Sequence, residues 1–316
     1  MKILITGGSG FLGTALTKVL QTQGINGESV AVTWVSRSVE KEKAKNIASH
    51  VISYDDLATT QENFDILINL AGAGIADKRW TDARKAQLLD SRIRPTQAVI
   101  DYIQRMTIKP KRLISGSAIG WYGIQPEGDP TALDENNTDN AKHHPDFSHE
   151  LCQTWEKMAL SVQSLLPVTI IRTGVVIDPD GGMLTRLLTP FKMGVGGKLG
   201  TGQQMMSWIS RDDWVRAVVF IIEQSLDPHL TSPQREAEHN SQIYNLTAPT
   251  PITNLSFTKT LGKWLHRPTL LTLPKFLLKL IFGEMGTLLF DGQRVVPKRL
   301  LEHGFVLKDD TMLQAL

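Results

Sequence analysis

The segment MKILITGGSGFLG, residues 1–13, passes from a short apolar run into a turn with a glycine at every third position. Lys2 to Thr6 has the continuous apolar character of a buried strand in a parallel sheet. Phe11 to Leu20 repeats its apolar residues at the spacing of a helix. The glycines of the turn are Gly7, Gly10 and Gly13. The segment therefore predicts a strand, a tight turn and a helix in direct succession.

A junction of this kind predicts a site for the pyrophosphate of a dinucleotide. Glycine permits the tight turn, lets the backbone approach a phosphate and lets the helix pack closely on the strand. The helix N-terminus adds unpaired N–H donors and the positive end of a dipole. The alternative is a plain connection between strand and helix, but the flanking elements favour the nucleotide site. The predicted contacts are Gly7, Ser9, Gly10, Phe11, Leu12 and Gly13.

The end of the second predicted strand indicates which dinucleotide binds. Val30 to Val35 is followed by Ser36-Arg37-Ser38, where an enzyme specific for NAD would place an acidic residue against the ribose hydroxyl. An arginine suits a 2′-phosphate instead, because its planar guanidinium donates two parallel hydrogen bonds and keeps its charge. The alternative is that Arg37 is only a solvated loop residue. We predict NADP(H) as the cofactor.

Apolar runs alternate with helical patterns along the first half of the chain, which predicts an α/β fold with a Rossmann-like, doubly wound parallel sheet. The expected strands are Lys2–Thr6, Val30–Val35, His50–Ser53, Ile66–Leu70, Arg112–Ser117 and Val168–Arg172. Glycine-rich connections and a leucine-rich end then predict a smaller C-terminal substrate lobe. We place a mainly NADP(H)-binding domain at 1–174 and the lobe mainly at 175–316, with some return of the chain to the main sheet.

Composition narrows the classes of partner. The 316 residues carry a net charge of +2, with 34 basic and 32 acidic residues scattered along the chain. This balance predicts a small-molecule substrate rather than nucleic acid or a membrane, and a monomer or homodimer. Cys152 is the sole cysteine, and the adjacent His143 and His144 have no third ligand at a suitable spacing, so we expect no metal site. The chain starts directly on a strand, so we expect a cytoplasmic protein, or an organelle-matrix protein shown without its transit segment.

The stretch from Leu270 to Phe290 is apolar enough to raise the question of a membrane. Pro274, Lys275, Lys279 and Glu284 interrupt it, whereas a spanning helix needs about twenty largely uncharged residues. We expect it to pack into the core, with a weak amphipathic surface contact as the alternative.

The run FDILINLAG, residues 64–72, ends a strand with small residues against which the adenosine half of a cofactor can lie. Together, TGGSGFLG, Asp56-Leu57 and NLAG resemble the extended short-chain dehydrogenase/reductase superfamily, in its NAD-dependent epimerase/dehydratase branch. The resemblance implies cofactor contacts at Asp56, Leu57, Leu70, Ala71 and Gly72.

Further motifs resemble an atypical subgroup of that branch, described as sugar-nucleotide-epimerase-like or cell-division-inhibitor-like and carrying its own C-terminal domain. They are DKRWTDARK (77–85), SRIRPT (91–96), SAIGWYG (117–123), LCQTWEKMA (151–159), IRTGVVI (171–177), GGKLGTGQQMMSWISRDD (196–213) and RVVPKRLLEHGF (294–305). The resemblance covers the whole chain.

The catalytic residues of that superfamily are a serine, a tyrosine and a lysine, and this chain departs from them. Aligning Glu156 with the glutamate that follows the lysine places Cys152 at the lysine and Ser148 at the tyrosine. A thiol is not a persistent cation, and a serine hydroxyl is too weak an acid to replace an activated phenol. The remaining candidates for proton transfer are Ser117, and Tyr122 as a surrogate acid. The alternative for Tyr122 is a packed aromatic side chain that lines the pocket.

Substrate contacts are predicted on two segments. Lys85 and Arg92 lie on a helix expected beside the nicotinamide and suit an anion, although a solvated or salt-bridged helix face is the alternative. Gln203 and Trp208 match positions at which extended members bind substrate. Two functions stay open: an NADP(H)-dependent oxidoreductase or epimerase acting on a small carbonyl or sugar nucleotide, and a non-catalytic NADP(H)-bound regulator, with a link to cell division implied by the resemblance.

Overall fold

The computed structural model describes residues 1–137, 144–226 and 242–316. The strands are β1 (Lys2–Thr6), β2 (Ala31–Val35), β3 (His50–Ile52), β4 (Ile66–Asn69), β5 (Arg112–Ala118), β6 (Val168–Thr173), β7 (Val175–Ile177), β8 (Gly197–Leu199), β9 (Met205–Met206), β10 (Trp208–Ser210), β11 (Gln242–Leu246), β12 (Ile252–Thr253) and β13 (Leu271–Leu273). The helices are α1 (Phe11–Gln23), α2 (Val39–Lys43), α3 (Tyr54–Thr59), α4 (Asp82–Arg105), α5 (Phe147–Leu160), α6 (Leu184–Lys192), α7 (Arg211–Leu226), α8 (Asn254–Leu265), α9 (Lys275–Phe282), α10 (Thr287–Phe290) and α11 (Lys298–Glu302). Two 3-10 turns span Ile119–Tyr122 and Gly283–Gly286.

Seven parallel strands form the central sheet in the order β11-β6-β5-β4-β1-β2-β3. The chain moves outward from β1 to β3 and then crosses back to β4 on the other side of β1. The loops after β1 and β4 therefore diverge at the carboxyl edge of the sheet, and a crevice opens between them where ligands of doubly wound folds bind. This confirms the predicted fold class.

Alternation along β1 explains why both faces of the sheet are apolar. Ile3 and Ile5 belong to one buried cluster, which includes residues of α1 and α7, and Leu4 belongs to a second cluster on the opposite face. All three side chains are fully buried. Because successive side chains of a strand point to opposite faces, a strand covered by helices on both sides must be apolar at every position.

Smaller strand pairs lie outside the central sheet in the second half of the chain, and we call the part that they form the C-terminal lobe. β7 pairs with β10, β9 with β12, and β8 with β13. Between these pairs, β11 returns to the central sheet beside β6. Ser207 connects the segment before β10 to residues 293–295. Its hydroxyl donates a hydrogen bond to the Gln293 carbonyl and accepts one from the Val295 amide.

The apolar stretch after Leu270 forms a strand and short helices that pack by one side only. Leu278 and Phe290 are buried, whereas Phe276 and Leu280 are 72% and 71% exposed. Core packing was therefore the correct expectation for part of this stretch and wrong for the outer side of α9. Within the described residues, no helix is long and apolar enough to cross a membrane.

Candidate functional site

The glycine turn follows β1 and fills the space between that strand and the end of β4. Gly7 has φ +71°, and a Cβ there would lie 2.6 Å from the Leu70 carbonyl carbon. A Cβ on Gly13 would lie 2.5 Å from the Gly7 carbonyl oxygen. Any side chain at these two positions would push the backbone segments apart, so both glycines are required for the turn itself.

Gly10 differs because its missing side chain leaves open space. Its φ is −75°, which any residue adopts, and the single atom near its Cβ position is the Gly7 carbonyl oxygen at 3.1 Å. Gly10 is the N-cap of α1 and has no side chain that could cap the helix. The amides of the first turn therefore face an exposed cradle, and this arrangement fits a pyrophosphate.

Arg37 lies at the carboxyl end of β2 with an exposed side chain. The described residues include no hydrogen-bond or ion-pair partner for its guanidinium, although its charge acts on the nearby Tyr54. Ser38 precedes α2 as its N-cap but makes no side-chain capping bond. An uncommitted guanidinium between two hydroxyl groups suits a 2′-phosphate.

Asp56 and Leu57 have structural roles that the sequence motif did not indicate. The Asp56 carboxylate accepts hydrogen bonds from the Ser53 amide and hydroxyl, both at 2.8 Å, in the capping box of α3. These bonds hold the pKa of Asp56 below its usual value. Leu57 is fully buried in the core, so only its backbone can reach a nucleotide.

The end of β4 is held by a buried amide. Asn69 accepts a hydrogen bond from the Thr6 hydroxyl at 2.7 Å and donates to the Thr96 hydroxyl at 2.8 Å. It thereby ties β1, β4 and α4 together immediately before Leu70, Ala71 and Gly72. These bonds fix the position of the predicted cofactor-binding backbone relative to the glycine turn.

Ser117 near the end of β5 belongs to a buried ionic network. Its hydroxyl donates to Glu156 Oε1 at 2.6 Å. Arg172 of β6 holds the same carboxylate through both oxygens, from Nε to Oε1 and from Nη2 to Oε2, each at 2.9 Å. Glu156 lies on α5, so the network joins two adjacent strands to the helix that carries the altered catalytic motif. A bidentate pair of this kind fixes both side chains and leaves the carboxylate available as an acceptor for Ser117.

Tyr122 lies beside Arg172, but its hydroxyl is already hydrogen-bonded to other groups of the protein. The hydroxyl donates to the Asp134 carbonyl at 2.9 Å and contacts Asn245 Oδ1 at 3.0 Å, and the side chain is fully buried. Burial raises the pKa of this phenol, which makes it a poorer acid. We therefore correct the expectation of a surrogate acid: Tyr122 is a packed side chain of the network around Arg172.

Cys152 and Ser148, at the positions of the missing lysine and tyrosine, are both buried on α5. Burial, reinforced by the Glu156 carboxylate, raises the pKa of the Cys152 thiol to about 11. The thiol is therefore protonated and inert near neutral pH. Ser148 packs against the 3-10 turn after β5, where a Cβ on Gly120 would lie 3.0 Å from the Ser148 Cβ.

Arg92 and Lys85, the predicted anion-binding pair on α4, differ in their surroundings. Lys85 forms an ion pair with Glu284 at 2.5 Å and is therefore already neutralised. The Arg92 guanidinium lies over the Trp155 ring, 5.2 Å from its centre, and donates to the Leu88 carbonyl. A Cβ on Gly72 would lie 3.0 Å from Arg92 Cζ. Burial lowers the pKa of Arg92, and no carboxylate of the described residues pairs with it. The structure thus brings one cation, Arg92, to the end of β4.

Gln203 and Trp208, the other two predicted substrate contacts, also differ in their surroundings. Gln203 is exposed and lines a cleft with Glu127 and Asp291, between the loop after β5 and the C-terminal lobe. Trp208 is 1% exposed and donates from its indole nitrogen to the Thr250 carbonyl. The expected substrate contact at Trp208 is corrected accordingly, because its side chain belongs to the core.

No group of three or more possible metal-ligating side chains occurs among the residues that the structure describes. His144 is among them, and His143 lies outside them.

Two parts of the chain match known protein families. Residues 3–232 match the NAD dependent epimerase/dehydratase family, and residues 273–316 match a domain of unknown function, DUF1731. The chain belongs to the NAD dependent epimerase/dehydratase family.

Relatives of this epimerase-family protein match it along nearly their whole length. Epimerase family protein YfhF from Bacillus subtilis is 35% identical, with 96% of this chain and 93% of the relative covered. The chloroplastic epimerase family protein SDR39U1 homolog of Arabidopsis thaliana is 33% identical, over 100% of this chain and 86% of the relative. The crystal structure of human epimerase family protein SDR39U1 with NADPH superposes with a TM-score of 0.83 at 28% identity, covering 100% and 97% of the two chains.

Glu156 and Arg172 are the site residues whose interaction the sequence did not reveal. The sequence motif indicates the position of Glu156 but not its partner, and it assigns Arg172 no role in the site. A glutamate that faces the core of an otherwise amphipathic helix is a signal for a buried ion pair. That signal does not identify the partner, which lies 16 residues further along the chain.

Proposed function

We propose that this epimerase-family protein binds NADP(H) and catalyses hydride transfer to or from a small carbonyl or hydroxyl compound, as an oxidoreductase or an epimerase. The observation that carries the proposal is the hydrogen bond from Ser117 to the Glu156 carboxylate at the carboxyl edge of the sheet. A carboxylate fixed behind a serine supplies a route for a proton where the usual tyrosine and lysine are missing.

The cofactor part of the proposal rests on the open cradle at Gly10 and on Arg37. The first turn of α1 would hold the pyrophosphate, and Arg37 the 2′-phosphate. When bound, the cofactor supplies or accepts the hydride. The NADPH in the structure of human SDR39U1 supports this assignment.

The proton part of the proposal follows from the direction of the Ser117 hydrogen bond. Because Ser117 donates its hydrogen to Glu156, its oxygen lone pairs are available to accept from a substrate hydroxyl. In the oxidative direction the substrate hydroxyl gives its proton to Ser117 Oγ while Ser117 passes its own proton to Glu156. Reduction of a carbonyl runs the same transfers in reverse, starting from protonated Glu156. Arg172 holds the carboxylate in place in both directions.

Arg92 indicates the charge of the proposed substrate. A positive charge beside Gly72, without a carboxylate partner in the described part of the chain, suits an anionic group on the substrate. We therefore favour substrates that carry a carboxylate or phosphate near the reacting carbon. The cytoplasmic location and the monomeric or dimeric state stay predictions.

Replacing Arg37 with alanine is expected to weaken NADPH binding about 10- to 150-fold, the equivalent of one lost charge-assisted contact of about 1.5–3 kcal/mol. NADH binding should not change, because NADH has no 2′-phosphate. Fluorescence titration of both nucleotides measures the effect, with Lys41→Ala on α2 as the matched control. An unchanged preference for NADPH in the Arg37 variant contradicts the assignment.

Replacing Arg92 with glutamine is expected to raise KM for anionic substrates about 10- to 150-fold by the same loss of a charged contact. The KM of uncharged carbonyl compounds should stay nearly constant. Oxidation of NADPH with a panel of carbonyl acids, neutral carbonyls and sugar nucleotides tests this prediction. Arg94→Gln, an exposed change on the same helix, is the control. Tight NADPH binding without turnover on the whole panel would instead favour the non-catalytic regulator.

A further inference from the structure

Exposed apolar side chains concentrate on one part of the C-terminal lobe. Seven of the thirteen exposed large apolar residues in the described chain come from the segments 193–195 and 270–281. They are Met193, Val195, Leu270, Leu271, Phe276, Leu280 and Ile281. Single exposed apolar residues are ordinary on a protein surface. A concentration of them in two short segments instead indicates a surface that binds another molecule or a membrane.

The contacts between the two segments place them side by side. β8 pairs in parallel with β13, with Gly197 opposite Leu271. On one side of this pair, Arg267 Nε donates to the Lys192 carbonyl at 2.9 Å. On the other side, the Gly200 amide donates to the Leu273 carbonyl at 2.8 Å, immediately before α9 begins. The two segments therefore form a continuous surface, which we call the basic apolar face.

The two stretches of sequence that contain this face are basic. Residues 181–211 and 242–283 contain nine lysines and arginines and no aspartate or glutamate, in a chain whose net charge is only +2. Arg186, Arg211 and Lys275 are ion-paired with carboxylates from elsewhere. Lys279 acts on the Asp291 carboxylate. The described residues provide no carboxylate partner for the other five, which are Lys192, Lys198, Lys259, Lys263 and Arg267. The chain-wide balance thus conceals a strong local excess of positive charge.

We propose that the basic apolar face docks on an anionic lipid bilayer, with α9 lying in the interface. Phe276 and Leu280 are one helical turn apart and point outward, so they can insert together below the headgroups. Lys192 and Arg267 lie together at one end of the face, where their long side chains can extend toward phosphate groups. Anionic headgroups supply the negative charge that the face lacks, and the acyl boundary takes up the apolar side chains.

Other occupants fit this face less well. A second copy docked by two-fold symmetry would bring the same lysines against each other, and like charges repel across an interface. Nucleic acid would match the charge but would leave Leu270, Leu280 and Ile281 against phosphate and sugar. The proposal reverses our expectation of no membrane contact, which rested on charge counted over the whole chain. It does not depend on the proposed catalytic function.

Cosedimentation of the full chain with vesicles tests the proposal. We expect binding to vesicles of equal parts phosphatidylcholine and phosphatidylglycerol, little binding to phosphatidylcholine alone, and release by high salt. Lys192→Gln and Arg267→Gln should each weaken binding about fivefold. Phe276→Ser and Leu280→Ser should each weaken it about tenfold, since each removes apolar area that the bilayer would bury.

Matched controls are exposed residues of the same types elsewhere in the chain: Ile108→Ser, Val306→Ser, Lys41→Gln and Lys157→Gln. These should leave vesicle binding intact, and thermal unfolding should show every variant to be folded. Absence of binding to both kinds of vesicle overturns the proposal, as does equal binding by the face variants and the controls. A wild-type dimer that Phe276→Ser and Leu280→Ser convert to a monomer in size-exclusion chromatography also overturns it, in favour of a second copy.

Discussion

Replacing Gly10 with valine is expected to abolish NADPH binding while leaving the protein folded. The backbone at Gly10 has φ −75° and ψ 176°, which suits a β-branched residue. A Cβ there would meet only the Gly7 carbonyl oxygen, at 3.1 Å, and the rest of the side chain would occupy the cradle in front of the first turn of α1. Because that cradle is the proposed pyrophosphate site, we expect affinity to fall by at least about a hundredfold, or roughly 2.7 kcal/mol.

The neighbouring glycines provide the contrast that makes this experiment informative. Gly7→Val should unfold or strongly destabilise the protein, since its Cβ would collide with the Leu70 backbone and its φ of +71° strains any side chain. Thr22→Val, at the exposed far end of α1, should change neither folding nor binding. Circular dichroism and NADPH fluorescence distinguish these outcomes. A folded Gly10 variant that still binds NADPH would place the nucleotide elsewhere.

The sequence predicted the central sheet well because its signals are local. β1 begins and ends at the expected residues, Lys2 and Thr6, and each of the next five strands differs from expectation by one residue at one end. Each buried parallel strand is a continuous apolar run that needs no knowledge of its neighbours. The glycine turn is equally local, since its spacing encodes its own backbone conformation.

The interactions of the candidate site were less predictable because they join distant parts of the chain. Ser117 and Glu156 are 39 residues apart, and they meet only because α5 packs against β5. The direction of Tyr122 depends on Asn245, which is 123 residues away on β11. The exposure of Phe276 depends on which side of a short helix the lobe covers, and an apolar octapeptide does not specify that side. Periodicity predicts elements, whereas side-chain partners follow from their packing.

Because Glu156 and Arg172 form a buried ion pair, the proposed role of Glu156 in proton transfer cannot be tested by replacing Glu156 alone. Both side chains are almost completely buried, and removal of one partner leaves an uncompensated charge that typically costs about 3–5 kcal/mol. Glu156→Gln alone therefore risks a loss of stability that imitates a loss of catalysis. Combining Glu156→Gln with Arg172→Met removes both charges together, so that neither is left uncompensated in the core.

Replacing Ser117 with alanine is expected to lower kcat by about 10²–10⁴-fold, the usual range for loss of a group that transfers a proton. The serine is small and its hydroxyl faces Glu156, so alanine should preserve both the fold and NADPH binding.

The double variant Glu156→Gln with Arg172→Met keeps Ser117 but removes its proton acceptor. Its kcat should fall by a comparable factor, with an unchanged Kd for NADPH. Thr154→Ala, on the exposed side of α5, should match the wild type. Steady-state NADPH oxidation on the most active compound of the substrate panel, with thermal unfolding in parallel, measures these effects. Full turnover in a folded Ser117→Ala variant would exclude the serine and leave the proton route to another group, whereas full turnover in the double variant alone would mean that Ser117 works without Glu156.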